Sequence, residues 1–163
     1  MERGDPTAQT VDLAARMAAA LGLQLATNLY ADGDPVRDRA HLALLARFRA
    51  RLPTGLGWRA EVPMPATGDQ RSGDALVEGP EFDALVEAET VLGDLQLVER
   101  KGAAKQRDLG ARRLILLVAD TRRNREVIRL HPELRERFPI DTRTCLTRLG
   151  GRRDLGGDCL VVL

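Results

Sequence analysis

Aromatic residues are scarce in this chain of 163 residues, where phenylalanine, tryptophan and tyrosine together make up 3%. Proteins that bind RNA or single-stranded DNA use aromatic rings as stacking platforms, so this scarcity argues against both functions. Long apolar runs are also missing. The longest, residues 114–119, is far shorter than the ~20 residues that a membrane-spanning helix needs. The sequence therefore predicts no membrane partner.

Few side chains are available for the commonest catalytic chemistries. The only serine, Ser72, is not in a Gly-x-Ser-x-Gly turn, and no lysine follows a glycine-rich phosphate loop, which argues against serine hydrolases and Walker-type nucleotide sites. The cysteines, Cys145 and Cys159, have no histidine at zinc-ligand spacing and predict a reduced thiol pair. The histidines, His41 and His131, are interpreted as structural. Since no secretory signal is recognisable, we expect a cytoplasmic protein.

Charge is distributed unevenly, although the formal net charge is only +1. Acidic residues predominate in residues 60–99 and basic residues in residues 100–130. A composition with 44% hydrophobic and 30% charged residues is typical of a folded domain rather than a disordered chain. The basic stretch favours a polyanionic partner, while the alternative is a solvated helix face.

Hydrophobic periodicity predicts an α/β protein with a mixed central sheet flanked by helices. We interpret the chain as one domain, with an extension of one helix (10–21) and one strand (23–30) in residues 1–34. Residues 35–130 are then predicted to form an αβββαβ core, and residues 131–163 a helix and a strand. The first core helix begins at Asp34-Pro35, ends before Pro53, and is predicted to bury Val36, Ala40, Leu44, Leu45, Phe48 and Leu52. Later strands are predicted at 58–64, 74–78, 82–89, 114–119 and 159–163, and helices at 95–107, 121–130 and 142–149.

The turn sequence Gly79-Pro80-Glu81-Phe82 predicts a hairpin centred between residues 80 and 81. This register pairs Leu76 with Leu85 and places Asp74 opposite Glu87. Glu89 then lies on the same side of its strand as Glu87. One face of the hairpin is predicted to be apolar and built from Ala75, Val77, Ala84, Val86 and Ala88.

Opposed carboxylates repel each other, so Asp74, Glu87 and Glu89 on one face call for a compensating cation. Oxygen ligands of this kind suit Mg²⁺ or Mn²⁺, which can activate water for attack on a phosphodiester. Glu61 on the preceding strand could supply a fourth ligand. The alternative is an acidic hairpin on a solvated face, and a shift of one residue in the turn would separate the pair.

An αβββαβ core with Asp74 opening the second strand and Glu87-Ala88-Glu89 on the third resembles the PD-(D/E)XK nuclease superfamily, whose fold is restriction-endonuclease-like. The resemblance implies catalytic roles for Asp74, Glu87 and Glu89 with Mg²⁺ or Mn²⁺. The motif lysine is replaced by Glu89, as in some type II restriction endonucleases that remain active. In some relatives the basic group has moved to the following helix, where Lys101 is the catalytic candidate and Gln96, Arg100 and Lys105 are further candidates.

We therefore expect a metal-dependent DNA endonuclease or a nuclease-derived domain that binds duplex DNA. The residues expected to contact DNA are Gln96, Arg100, Lys105, Arg122 and Arg123. Residues 10–163 also resemble the C-terminal domain of actinobacterial helix-turn-helix regulators, on the sequences at 37–42, 87–90 and 116–122. That resemblance implies a helix-turn-helix module in cis or in trans. It supports the alternative of an inactive regulatory or protein-interaction domain. A structural toxin or antitoxin subunit is a third alternative, and a second copy of the chain is a candidate partner.

Overall fold

The computed structural model describes residues 35–163, with side chains from residue 39 onward, and four helical residues before them, Leu13, Arg16, Met17 and Ala20. The chain divides into two compact units, Met1–Gly33 and Asp34–Leu163. The four helical residues fall within the helix predicted at 10–21. The strand predicted at 23–30 lies outside the described residues.

Apart from one additional short helix, the helices and strands of the second unit follow one another in the predicted order. The elements are α1 (Pro35–Arg49), β1 (Gly57–Pro63), β2 (Ser72–Glu78), β3 (Asp83–Glu89), α2 (Leu95–Leu109), β4 (Arg113–Val118), α3 (Arg122–Leu130), α4 (Glu133–Arg137), α5 (Thr142–Gly150) and β5 (Cys159–Val162). The five strands form one sheet in the order β1-β2-β3-β4-β5. β2 is antiparallel to both β1 and β3, whereas β3, β4 and β5 are mutually parallel. The predicted mixed α/β class is confirmed.

The β2–β3 hairpin has the predicted register. Leu76 pairs with Leu85, and the ladder runs from Glu78 opposite Asp83 to Ala75 opposite Val86. The turn is closed by a 2.8 Å hydrogen bond from Gly79 N to Phe82 O. The turn residues and the alternation of apolar residues specify the same register. A slip by one residue is disfavoured because it would turn every buried side chain to the opposite face of the sheet.

Helices cover both faces of the sheet, and each face has its own apolar core. The first core joins the small residues of the hairpin to α1 and α5, and includes Leu44, Leu45, Phe48, Ala75, Val77, Ala84, Val86, Ala88, Cys145 and Leu149. The second core joins the opposite face to α2, α3 and α4, and includes Leu76, Leu85, Leu114, Leu116, Val118, Ile128 and Leu134. Because side chains alternate along a strand, Glu87 and Glu89 belong to this second face, beneath α2.

The helix α2 connects β3 to β4 and is capped at both ends. Asp94 accepts a 3.0 Å hydrogen bond from Leu97 N, and Gly110 ends the helix in the left-handed conformation at φ 69°. Gly102 faces β4 closely, since a Cβ there would lie 3.0 Å from Leu114 Cδ2. Glycine therefore sets how near α2 lies to the sheet.

A buried asparagine joins the loops at the carboxyl ends of β3 and β4. The Asn124 side chain accepts a 2.9 Å hydrogen bond from Leu92 N and donates to Thr90 O at 3.0 Å and Ala119 O at 2.8 Å. Thr121 caps α3, the helix that contains Asn124, because its hydroxyl oxygen accepts a 3.1 Å hydrogen bond from Asn124 N. These bonds fix the segment that directly follows Glu89.

Two residues predicted to be buried on α1 are not shown to be so: Ala40 is exposed, and the Val36 side chain lies outside the described residues. The short helix α4 was not predicted, and its five residues are too few to show helical periodicity. Within the described residues, no helix combines the length and apolar character needed to cross a bilayer.

Candidate functional site

Asp74 stands at the point where the hairpin ladder ends. The last pair is Ala75 with Val86, and one residue further the Asp74 carboxylate, rather than its backbone, bonds to β3. Asp74 Oδ2 accepts a 2.7 Å hydrogen bond from Ala88 N. This bond places the Asp74 carboxylate at Ala88, the residue between Glu87 and Glu89, whereas the predicted ladder pair of Asp74 with Glu87 is not formed.

Glu87 is a nearly buried carboxylate whose two oxygens differ. Oε2 lies 2.6 Å from Lys105 Nζ of α2, and the Glu87 side chain is only 13% exposed. Oε1 is buried and has no partner with normal hydrogen-bond geometry among the described residues. Burial, and then the negative charge of Asp74, raise the pKa of Glu87 to about 7, while Lys105 and the Asp74 backbone amide oppose the shift.

Glu89 lies two residues further along β3 and is half-buried. Burial, followed by the charge of Asp74, raises the pKa of the Glu89 carboxyl, while the charges of His41, Lys101 and Lys105 oppose this rise. The mutual influence of the carboxylates shows that Asp74, Glu87 and Glu89, hereafter the acidic cluster, share one electrostatic environment. The alternative of an acidic hairpin on a fully solvated face does not describe Glu87 or Glu89.

His41 is the member of the site that sequence reasoning missed. Its Nε2 lies 3.3 Å from Asp74 Oδ2. The hydrogen bond with Asp74, reinforced by the charges of the acidic cluster, raises the pKa of His41, although desolvation opposes this shift. One sequence signal existed: His41 precedes Leu44, Leu45 and Phe48 by three, four and seven residues, which places it on the buried stripe of α1.

Glu61, the expected fourth ligand, lies on β1 in an exposed position. It interrupts the backbone register of β1 with β2, which runs from Ala60 opposite Ala75 directly to Val62 opposite Gly73. Its φ of 49° is in the left-handed region, which non-glycine residues seldom occupy. Backbone strain is therefore found directly beside Asp74.

The two lysines of α2 take different positions. Lys105 contacts Glu87, whereas Lys101 is exposed and acts on Glu89 through its charge. Lys105 was expected to contact DNA, but in the structure it contacts the acidic cluster. The other basic and polar candidates, Gln96, Arg100, Arg122 and Arg123, are all exposed.

Arg122 and Arg123 begin α3, just beyond the carboxyl end of β4. Glu89 pairs with Val118 at that same end, and Ala119 N donates a 3.0 Å hydrogen bond to Glu89 O. The parallel topology therefore brings the start of α3 to the edge of the sheet at which β3 and its acidic residues end.

The donor chemistry of the acidic cluster fits a hard divalent cation, because carboxylate oxygens predominate and Glu87 Oε1 is an orphaned buried acceptor. Yet no three histidine, cysteine, aspartate or glutamate side chains of the described residues are grouped so that they could hold a metal ion. The ammonium of Lys105 lies beside Glu87, where a cation would bind. No family model, curated protein or solved structure matches this chain.

Proposed function

We propose that this protein is a metal-dependent DNA endonuclease, or a domain derived from one, that hydrolyses phosphodiesters at the acidic cluster. The observation that carries the proposal is the state of Glu87, which is buried beside Asp74, paired with Lys105 through Oε2 and left without a partner at Oε1. Buried carboxylates with strongly raised pKa values and a specific charged neighbour are enriched at functional sites.

The topology supports the same proposal. The elements α1 to β4 follow one another in the αβββαβ order of the PD-(D/E)XK nucleases, with Asp74 on β2 and Glu87 and Glu89 on β3. The motif lysine is replaced by Glu89, but Lys105 supplies an ammonium group 2.6 Å from Glu87 Oε2. We therefore assign to Lys105, rather than Lys101, the role of the basic group that has moved to the helix after the motif.

Each residue has a distinct task in this proposal. Bound Mg²⁺ or Mn²⁺ would supply a water of lowered pKa and neutralise charge on the phosphate. Asp74 and Glu87 would hold the ion, with Glu89 beside them. His41 and the Ala88 amide fix the Asp74 carboxylate, and Lys105 steadies a phosphate oxygen when it is released from Glu87.

Duplex DNA is the proposed substrate. Arg100 and Lys101 on α2, and Arg122 and Arg123 on α3, present exposed positive charge on elements that flank the acidic cluster. Contacts from such residues to phosphates provide affinity that depends steeply on salt and carries no sequence information.

Plasmid cleavage tests the enzymatic proposal. Supercoiled DNA is incubated with wild-type protein in Mg²⁺ or Mn²⁺, beside Glu87→Gln and a matched control, Glu78→Gln, which changes an exposed carboxylate paired with Arg59. We expect nicking by the wild type and Glu78→Gln, and a loss of about 100-fold or more in Glu87→Gln. Equal rates in all three proteins, or no cleavage by any, would contradict the proposal.

Metal binding is tested separately by calorimetric titration of Mn²⁺ into the wild type and Asp74→Asn. Binding heat should be present in the wild type and greatly reduced in Asp74→Asn. Comparable heats would mean that Asp74 is not a ligand, even if cleavage were observed.

A second candidate is a non-catalytic regulatory or protein-interaction domain attached to a helix-turn-helix module. It is favoured by the lack, among the described side chains, of a ready three-ligand group, and by the engagement of Glu87 with Lys105. This candidate predicts that Mg²⁺ leaves the thermal midpoint unchanged, because a ligand that does not bind the native state cannot stabilise it.

A further inference from the structure

A cavity of about 370 Å³ opens beside the acidic cluster, between the start of β2 and one face of α2. Its lining consists of Arg71, Ser72, Arg100, Lys101, Ala104 and Lys105, and we call it the α2 cavity. Four of the six lining residues are cationic and none is acidic. The residues from α2 form two adjacent pairs, 100–101 and 104–105, which lie about one helical turn apart, so the cavity extends along a single stripe of the helix.

The positive charges of the α2 cavity are only partly compensated. Arg71 Nη2 lies 2.6 Å from Asp69 Oδ2 and 2.7 Å from Asp108 Oδ2, which together offset its charge. Lys105 is paired with Glu87. Arg100 and Lys101 make no ion pair with any described residue and are exposed. Two cations without an ion-pair partner among the described residues therefore face a space that a small anion could enter.

Lys105 belongs to both sites, since it lines the α2 cavity and contacts Glu87. A group bound in the cavity would thus lie next to the acidic cluster. The volume is near the lower limit of ligand-binding pockets, about 300 Å³, and suits a ligand of mononucleotide size rather than a continuous duplex. Charge and size together indicate a phosphorylated group at the end of a strand.

We propose that the α2 cavity binds the terminal phosphate monoester of a DNA strand more tightly than an internal phosphodiester, and so adds a preference for phosphorylated ends to the contacts with internal phosphates. The inference rests on the proposed function for its substrate class. A phosphate monoester carries a charge of about −1.5 to −2 at pH 7, whereas an internal phosphodiester carries only one negative charge. Arg100 and Lys101 together match the charge of the monoester, and Arg71 and Ser72 provide further hydrogen-bond donors at the cavity wall.

The experiment is a binding titration in EDTA, where hydrolysis is prevented. Fluorescent DNA hairpins with one open end carry a 5′-phosphate, a 3′-phosphate or hydroxyl groups only. The wild type should bind one of the phosphorylated ends about tenfold more tightly than the hydroxyl end, the value of one charge-assisted contact. Inorganic phosphate should compete with the phosphorylated end and abolish that preference.

Variants localise the effect. Arg100→Gln and Lys101→Gln change exposed positions and should each reduce the preference for the phosphorylated end, and the double variant should abolish it. Arg143→Gln is the matched control, because Arg143 is exposed on α5 and makes no ion pair with a described residue. It should bind all three hairpins like the wild type.

The outcomes separate the two proposals. Equal affinity of the wild type for all three ends, or a preference that survives in the double variant, would overturn the assignment of the α2 cavity. Cleavage of plasmid without end preference would leave the nuclease standing and remove only this inference. End preference without metal-dependent cleavage would support the cavity and remove the nuclease.

Discussion

Lys105 Nζ lies 2.6 Å from one oxygen of Glu87, while the other oxygen of the same carboxylate is buried without a hydrogen-bond partner among the described residues. The ion pair is therefore incomplete. Burial, and then the negative charge of Asp74, disfavour the ionised carboxylate more than Lys105 favours it, so the pKa of Glu87 rises to about 7. This shift makes stability depend on pH.

Replacement of Glu87 by glutamine should remove that dependence. Because the folded-state pKa of about 7 exceeds the ordinary value of 4.5, ionisation destabilises the native state, and the loss develops as pH rises from about 4.5 through 7. Between pH 5 and pH 8 the wild type should lose roughly 2–3 kcal/mol at this residue, by the equivalence of one pKa unit to 1.36 kcal/mol. Urea unfolding of both proteins at the two pH values measures the difference.

The substitution should change how the free energy of unfolding varies with pH. Its value at a single pH is less informative, because Glu87→Gln also leaves Lys105 without its partner. Glu78→Gln serves as the control, since Glu78 is exposed and paired with Arg59 at 3.2 Å. Parallel pH profiles for the wild type and Glu87→Gln would show that Glu87 ionises normally.

Asp74→Asn should lower the pKa of His41 towards 6.5. The hydrogen bond to the Asp74 carboxylate is the largest cause of the upward shift, so removing its charge removes most of the shift. In the wild type the stabilisation from this pair is fully present below pH 6.5 and is lost as pH rises through the folded-state pKa of His41. NMR titration of the His41 ring protons measures the change.

The pKa values of the two glutamates provide a second measurement on Asp74→Asn. Asp74 also raises the pKa values of Glu87 and Glu89, so carboxyl titrations should show both falling in Asp74→Asn. An unchanged His41 titration would disprove the contact with Asp74.

Asn124→Ala should be among the more destabilising substitutions on α3. It removes an acceptor for Leu92 N and two donors to carbonyls of Thr90 and Ala119, and so leaves three backbone groups unsatisfied near the core. We expect a loss of about 3 kcal/mol in the free energy of unfolding. Thr121→Ala, which removes only the cap of the same helix, should cost about 1 kcal/mol. Chemical denaturation ranks the two, and equal losses would refute the role assigned to Asn124.

Gly73→Ala tests how tightly β2 is packed beside the acidic cluster. A Cβ at Gly73 would lie 2.5 Å from Leu85 Cδ1, and Leu85 is fully buried, so the leucine must move. Overpacking of this kind costs about 1–3 kcal/mol. The matched substitution Gly93→Ala meets no atom within 4 Å and should change stability by less than about 0.5 kcal/mol. Thermal unfolding of both variants provides the comparison.

The fold was largely predictable because local signals agreed. The turn at Gly79-Pro80 set the hairpin register, the helices predicted at 95–107 and 121–130 correspond to α2 and α3, and the apolar run at 114–119 corresponds to the interior strand β4. Each of these signals acts over a few residues, so one sequence is enough to detect it.

The site was only partly predictable. The position of Asp74 beside β3 follows from the register, whereas the contacts of His41 with Asp74 and Lys105 with Glu87 depend on how two helices cross the sheet. No local pattern encodes those crossing geometries. The left-handed backbone of Glu61 was also unforeseeable, since glutamate has no preference for that conformation.

The missing side chain at Gly102 has a consequence for ligand affinity. Because α2 rests almost directly on β4, with only 3.0 Å between a Cβ at that residue and Leu114 Cδ2, the helix has little room to roll or slide. Lys101 precedes this contact point by one residue and Lys105 follows it by three. The backbone that carries both lysines is thus held against the sheet, so an anion that binds them would have to order the two side chains but not the helix.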